Sequence, residues 1–136
     1  MTTINFRVPG KPLAKGRPRF TRGGHVYTPE ATAEYENLVK LCFLEQAPDW
    51  VPSDKPVTMT VWAWYPIPES WSKKKKQLAL DHQISPGKPD WDNVGKIISD
   101  ALNGVAYVDD SQICFCTIVK SYGEVPEVRV ELIFET

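Results

Sequence analysis

The chain lacks any apolar run approaching the ~20 residues that a helix needs to cross a bilayer, so no membrane-spanning helix is expected. It has little cysteine: Cys42, Cys114 and Cys116 make an odd number. With no basic stretch leading into an apolar leader segment at the start, this points to a cytoplasmic protein with reduced thiols. Its two histidines, His25 and His82, stand apart. No second Cys/His pair at ligand spacing accompanies Cys114 and Cys116, which argues against a zinc site and for a pair packed on one strand face. A formal net charge of −1 gives no global attraction to nucleic acid, so any such affinity rests on local patches. Internal repeats and low-complexity segments are absent as well.

What is present is a chain of 136 residues with 42% apolar content, enough for a single domain spanning 1–136 with a real core. Ile4, Phe6 and Val8 alternate with polar neighbours and predict a strand over residues 3–8. Lys11, Lys15, Arg17, Arg19 and Arg22 follow in a loop rich in Gly and Pro that holds no acid. Such a loop either stays solvated or reaches phosphate oxygens along a nucleic-acid backbone, with Lys15, Arg17 and Arg19 as the candidate contacts.

Thr28 as cap and Pro29 at the first helical position open a predicted helix that carries Tyr35, Leu38, Val39, Cys42 and Phe43 on one face and runs to about Gln46. A proline-bearing connector leads to a strand over residues 57–65, whose second face holds Trp62 and Trp64. Those rings are either covered by another element, the commoner case, or free to stack on bases. Residues 69–80 predict a short helix whose four lysines, Lys73 to Lys76, circle it and read first as solvated. Strands over 113–120 and 125–135 are expected to form a hairpin about Tyr122, Gly123 and Glu124. The order implies an α+β (mixed α/β) fold with about four strands and two main helices.

The densest chemistry lies between these elements. Pro89 disfavours helix at Lys88, and Val94, Ile97, Ile98, Ala101 and Leu102 then mark one helical face that Asn103 and Gly104 end. Asp90 and Asp92 sit at the start of this helix, with Lys96 four residues after Asp92. N-capping and an i,i+4 ion pair would explain them modestly, at about 1 kcal/mol and a few tenths. A second acidic pair, Asp109 and Asp110, follows after a Gly turn. If the connection folds back along the helix, three or four carboxylates converge. Their mutual repulsion is relieved by a divalent cation, and hard oxygen ligands suit Mg²⁺ or Mn²⁺.

The string Asp90-x-Asp92-Asn93-x-x-Lys96, followed by Val108-Asp109-Asp110-x-Gln112, resembles the signature of the RusA family of Holliday junction resolvases. Pro9-Gly10-Lys11-Pro12, Lys15, Arg17-Pro18-Arg19 and Tyr27-Thr28-Pro29 resemble the amino-terminal pattern of its phage-type members. The resemblance implies a small, homodimeric, Mg²⁺-dependent endonuclease, often encoded by prophages, that cuts four-way DNA junctions symmetrically in recombination and repair. It places catalytic, metal-binding aspartates at Asp90, Asp92 and Asp110 and an essential lysine at Lys96. The helix around Lys73 to Gln77 departs from the shortest members. A nuclease for other branched DNA and a non-catalytic DNA-binding module, in which the aspartates only cap the helix, are the alternatives.

Overall fold

A computed structural model describes residues 1–16, 19–27 and 29–136, without the side chains of residues 19, 20, 26 and 27. The expected roles of the Arg17 and Arg19 side chains and of Thr28 as a cap therefore lie outside the described residues.

Strand β4 (Val57–Pro66) is the centre of the molecule. Every second residue from Val57 to Tyr65 is buried, while Thr58, Thr60, Trp62 and Trp64 are half-buried. A strand packed along one whole face in this way needs a partner on each side. It pairs antiparallel with β6 (Glu127–Phe134) and parallel with β5 (Ile113–Gly123). Strand β1 (Thr2–Pro9) adds antiparallel to β6, giving a mixed sheet in the order β1-β6-β4-β5. Strands β2 (Arg19–Phe20) and β3 (Val26–Tyr27) form a small separate antiparallel ribbon.

The predicted hairpin of the last two strands is corrected by this order. β5 and β6 are consecutive in sequence but lie on opposite sides of β4. A reversing turn fixes direction and not the neighbour, and the segment from Glu124 to Pro126 is long enough to step across one strand spaced ~5 Å from the next. β5 thereby becomes an edge strand. Cys114 and Cys116, expected to pack, are exposed instead, and all three cysteines are free thiols.

Helix α1 (Glu30–Gln46) begins one residue later than expected, with Pro29 in the capping position. It lays Tyr35, Val39, Cys42 and Phe43 against the sheet, where Phe6 meets Phe43 edge-on at 5.7 Å. Helix α2 (Lys73–Leu80) is shorter than expected; the Ser72 hydroxyl caps it by accepting the Lys75 N–H. Helix α3 (Trp91–Ala101) buries Val94, Ile97, Ile98 and Ala101 as its apolar period requires. Val94, Ile97 and Ile98 each contribute about 1.5–3 kcal/mol by leaving water.

Trp62 and Trp64 have no interior environment. The Arg129 guanidinium covers Trp64 at 5.5 Å from its ring centre, and Gly123 admits the indole because a Cβ there would stand 3.0 Å from it. No helix of the described residues is long and apolar enough to cross a membrane.

Candidate active site

The α3 N-terminus is shaped by the loop before it. Asp90 takes the extended backbone of a capping residue, yet its side chain makes no cap hydrogen bond and stands exposed. Asp92, in the first turn, accepts the Asn93 N–H through one carboxylate oxygen at 3.0 Å, leaving the other open. Both carboxylates lie at the positive end of the helix dipole, which favours them. Gly95 lets β5 approach α3 closely, since a Cβ there would stand 3.0 Å from Ile118 Cδ1.

Between that helix face and β5 lies an open cleft of about 260 Å³ lined by Trp91, Asp92, Lys96, Ser99, Asp110 and Cys116, among others. Asp92, Lys96 and Asp110 thus share one cleft, two carboxylates where the sequence reading had three or four converging. Asp90 is outside its lining. Among the described residues, neither Asp92 nor Asp110 has a cationic partner. No three His, Cys, Asp or Glu side chains there stand close enough together to hold a metal ion. The donor set that a divalent cation would meet in the cleft is two carboxylates, Asp92 and Asp110, which would leave most of its coordination to water.

The two members of the second acidic pair have different fates. Asp109 caps a single 3₁₀ turn (Asp110–Gln112), accepting the Ser111 N–H while Gln112 accepts the Asp109 N–H. Hydrogen bonding from Ser111 holds the Asp109 carboxyl below its usual range. Gln112 also donates to the carbonyls of Ser53 and Lys55, at 2.8 and 2.9 Å, so the connector before β4 braces this turn. Trp50 adds a bond to the Ala106 carbonyl at 2.9 Å. Asp110 is left free to face the cleft.

Lys96 is 60% exposed and lies 3.8 Å from Asp100. Asp100 is engaged more closely by Lys15, at 3.1 Å, and Lys15 also reaches Glu36 on α1 at 3.2 Å. Burial alone would lower the Lys15 pKa, but the Asp100 and Glu36 carboxylates outweigh it and the net shift is upward. Lys15 therefore has protein partners that compete with a phosphate. Its backbone N–H also bonds the Asn93 carbonyl at 2.9 Å, which ties the basic loop to the first turn of α3.

Three contributors escaped the sequence reading. Trp91 is a large exposed aromatic in the cleft wall; its position between two helix-mouth acids was the available signal. Asp100, four residues beyond Lys96, was legible by spacing. Lys120 was not: from β5 it donates to the carbonyls of Gly87 and Pro89, at 2.5 and 2.6 Å, and so holds the loop that delivers Asp90.

The Endodeoxyribonuclease RusA family model matches residues 9–133, nearly the whole chain. The chain belongs to the RusA endodeoxyribonuclease family, which makes it a nuclease of the class that acts on DNA junctions. It is also similar to the uncharacterized protein YqaN of Bacillus subtilis (strain 168), at 39% identity over 136 aligned positions covering 96% of this chain and 95% of that one.

Proposed function

We propose that the protein is a structure-specific endodeoxyribonuclease that resolves four-way DNA junctions, as a cytoplasmic homodimer making paired cuts in recombination and repair. The observation that carries this is the shared cleft: Asp92 and Lys96 from α3 and Asp110 from the turn before β5 line one opening, with both carboxylates free of cationic partners among the described residues.

Asp92 and Asp110 would hold Mg²⁺ or Mn²⁺, with Asp90 at the same helix mouth as a third candidate ligand. A divalent ion bound there supplies Lewis acidity toward a phosphate oxygen and lowers the pKa of a coordinated water. The Lys96 ammonium, exposed at the cleft wall, donates to a non-bridging oxygen and offsets the charge that grows on it in the transition state. Asp100 keeps that ammonium over the cleft, and Lys15 keeps Asp100 in place. Trp91 offers a flat apolar surface to an unpaired base at a branch point. Two equivalent strands call for two equivalent sites, which a two-fold dimer provides.

The test is cleavage of a labelled synthetic four-way junction, with matched duplex, flap and fork controls, in Mg²⁺, Mn²⁺ and EDTA. Paired, metal-dependent nicks confined to the four-way substrate and lost in Asp92→Asn are expected. Preference for flap or fork would transfer the activity to other branched DNA. Binding without cutting in any divalent ion would leave a DNA-binding module.

A further inference from the structure

Helix α2 opens on a run of four lysines, Lys73 to Lys76, in a chain whose net charge is −1. From Trp71 to Pro89 the sequence holds five lysines, the fifth being Lys88, and one acid, Asp81, whose carboxylate accepts a hydrogen bond from the Gln77 amide at 3.0 Å. None of these lysines pairs with a carboxylate among the described residues. Cations in a first turn oppose the helix dipole, and Lys73 and Lys76 repel each other across one turn, so the run weakens the helix that carries it. Local stability does not explain it.

The start of α2 is nonetheless held in place. The Lys75 ammonium lies over the Trp71 ring at 4.0 Å, and Trp71 meets Tyr122 edge-on at 5.3 Å, which fixes the lysine run at the far end of β5. The register of β5 against β4 gives its distance from the candidate active site. Cys116, Ile118, Lys120 and Tyr122 pair with Met59, Val61, Ala63 and Tyr65, the buried row of β4, so all four stand on the side of the sheet that carries the helices. Along that row come in turn the cleft at Cys116, the close approach of α3 at Ile118, the loop before α3 at Lys120, and Trp71 at Tyr122. The strand from Cys116 to Tyr122 rises by ~20 Å at ~3.3 Å per residue. Lys96 stands at the cleft end of this track, and Lys88 is exposed on the loop at its middle.

We infer that α2 grips the phosphate backbone of one duplex arm of the DNA, about six nucleotides from the phosphate that enters the cleft, since phosphates of one strand follow at ~3.4 Å along the duplex axis. Lys88 meets the same backbone between the two points. Lysines contacting phosphate supply affinity without reading bases, so the contact holds any arm long enough to reach α2 and carries no sequence preference. This rests on the nuclease function proposed above and adds the surface that holds an arm beside the cut.

The experiment first maps the cuts that wild type makes in a four-way junction in Mg²⁺, then measures junction affinity in EDTA as salt is raised. Wild type is compared with the triple variant Lys73→Gln, Lys74→Gln, Lys76→Gln, which leaves Lys75 on Trp71, and with the matching triple Lys→Arg variant. Equal urea midpoints confirm that all three fold. The glutamine variant is expected to lower the slope of log affinity against log salt by roughly 2–3, and the arginine variant to keep the wild-type slope. Neutral methylphosphonate linkages placed in turn along each arm should weaken wild type at about six nucleotides from the cut and leave the glutamine variant unaffected there. A slope shared by wild type and the glutamine variant, or a lost contact that maps beside the cut itself, overturns the arm contact and leaves the nuclease function standing. A wild type that cuts no substrate overturns the nuclease function, and the arm contact with it.

Discussion

The Lys120 ammonium sits 2.6 Å from the carbonyl oxygen of Pro89, one residue before the aspartate that opens α3. A cation on a sheet edge thus holds the loop that aims an acid at the helix mouth, with no acidic partner of its own among the described residues. Replacing it by methionine keeps the length of the side chain and removes every donor. Lys120→Met should slow single-turnover cleavage by roughly 10²-fold while junction affinity changes little, because a misplacement of about 1 Å at a reacting group has that effect on rate. Rates and junction Kd measured side by side would test it; an unchanged rate would show that the loop holds its own shape.

The two lysines of the early loop should part company. Lys15 is 18% exposed and spans Glu36 and Asp100, so Lys15→Met should cost about 1.5–3 kcal/mol of stability as charged hydrogen bonds are lost. Lys11 is exposed and makes no ion pair among the described residues. Lys11→Met should leave stability unchanged and reduce the slope of log affinity against log salt by about 1. Urea unfolding and DNA titrations at several salt concentrations separate the two effects.

The acids divide likewise. Asp92→Asn and Asp110→Asn should abolish cleavage and leave junction binding intact or stronger, since each removes a negative charge that faces phosphate. Asp109→Asn should cleave close to the wild-type rate, because asparagine caps a turn about as well as aspartate. Equal loss in all three would return Asp109 to the site.

Glu127 gives the acid limit of stability. Burial alone would raise its pKa, but Arg7 and Arg129 together outweigh that and hold it below its ordinary value of 4.5. With the folded pKa below the unfolded one, the contribution is fully present above the unfolded value and is lost as pH falls through the folded value. Urea midpoints should therefore drop from about pH 5 to pH 3 more steeply in wild type than in Glu127→Gln, which is weaker at neutral pH and has less to lose.

Much of this was legible from residues alone, and the parts that were not share a cause. The apolar period of α3 is local, and the helix with Asp92 and Lys96 falls where the spacing put it, while Asp90 stands outside the cleft. The alternation of β4 named its buried face correctly but could not say that the strand is central, because neighbours in a sheet are chosen by pairing across the chain. For the same reason the turn at Gly123 suggested a hairpin that β4 separates. Asp109 and Asp110 were indistinguishable as adjacent letters; the hydrogen bonds of Gln112 and the connector tell them apart. Lys120 gave no signal, since its acceptors are backbone carbonyls in a distant loop.

The register of β1 against β6 joins Thr2 to Phe134 and Pro9 to Glu127, so two strands more than a hundred residues apart lie side by side. Until β6 is in place, Ile4, Phe6 and Val8 have no strand to lie beside, and α1 has only half a floor. A pairing between strands so far apart in sequence raises the contact order and slows folding. The sheet that backs the α3 helix is therefore complete only once this eight-residue strand lies between β1 and β4.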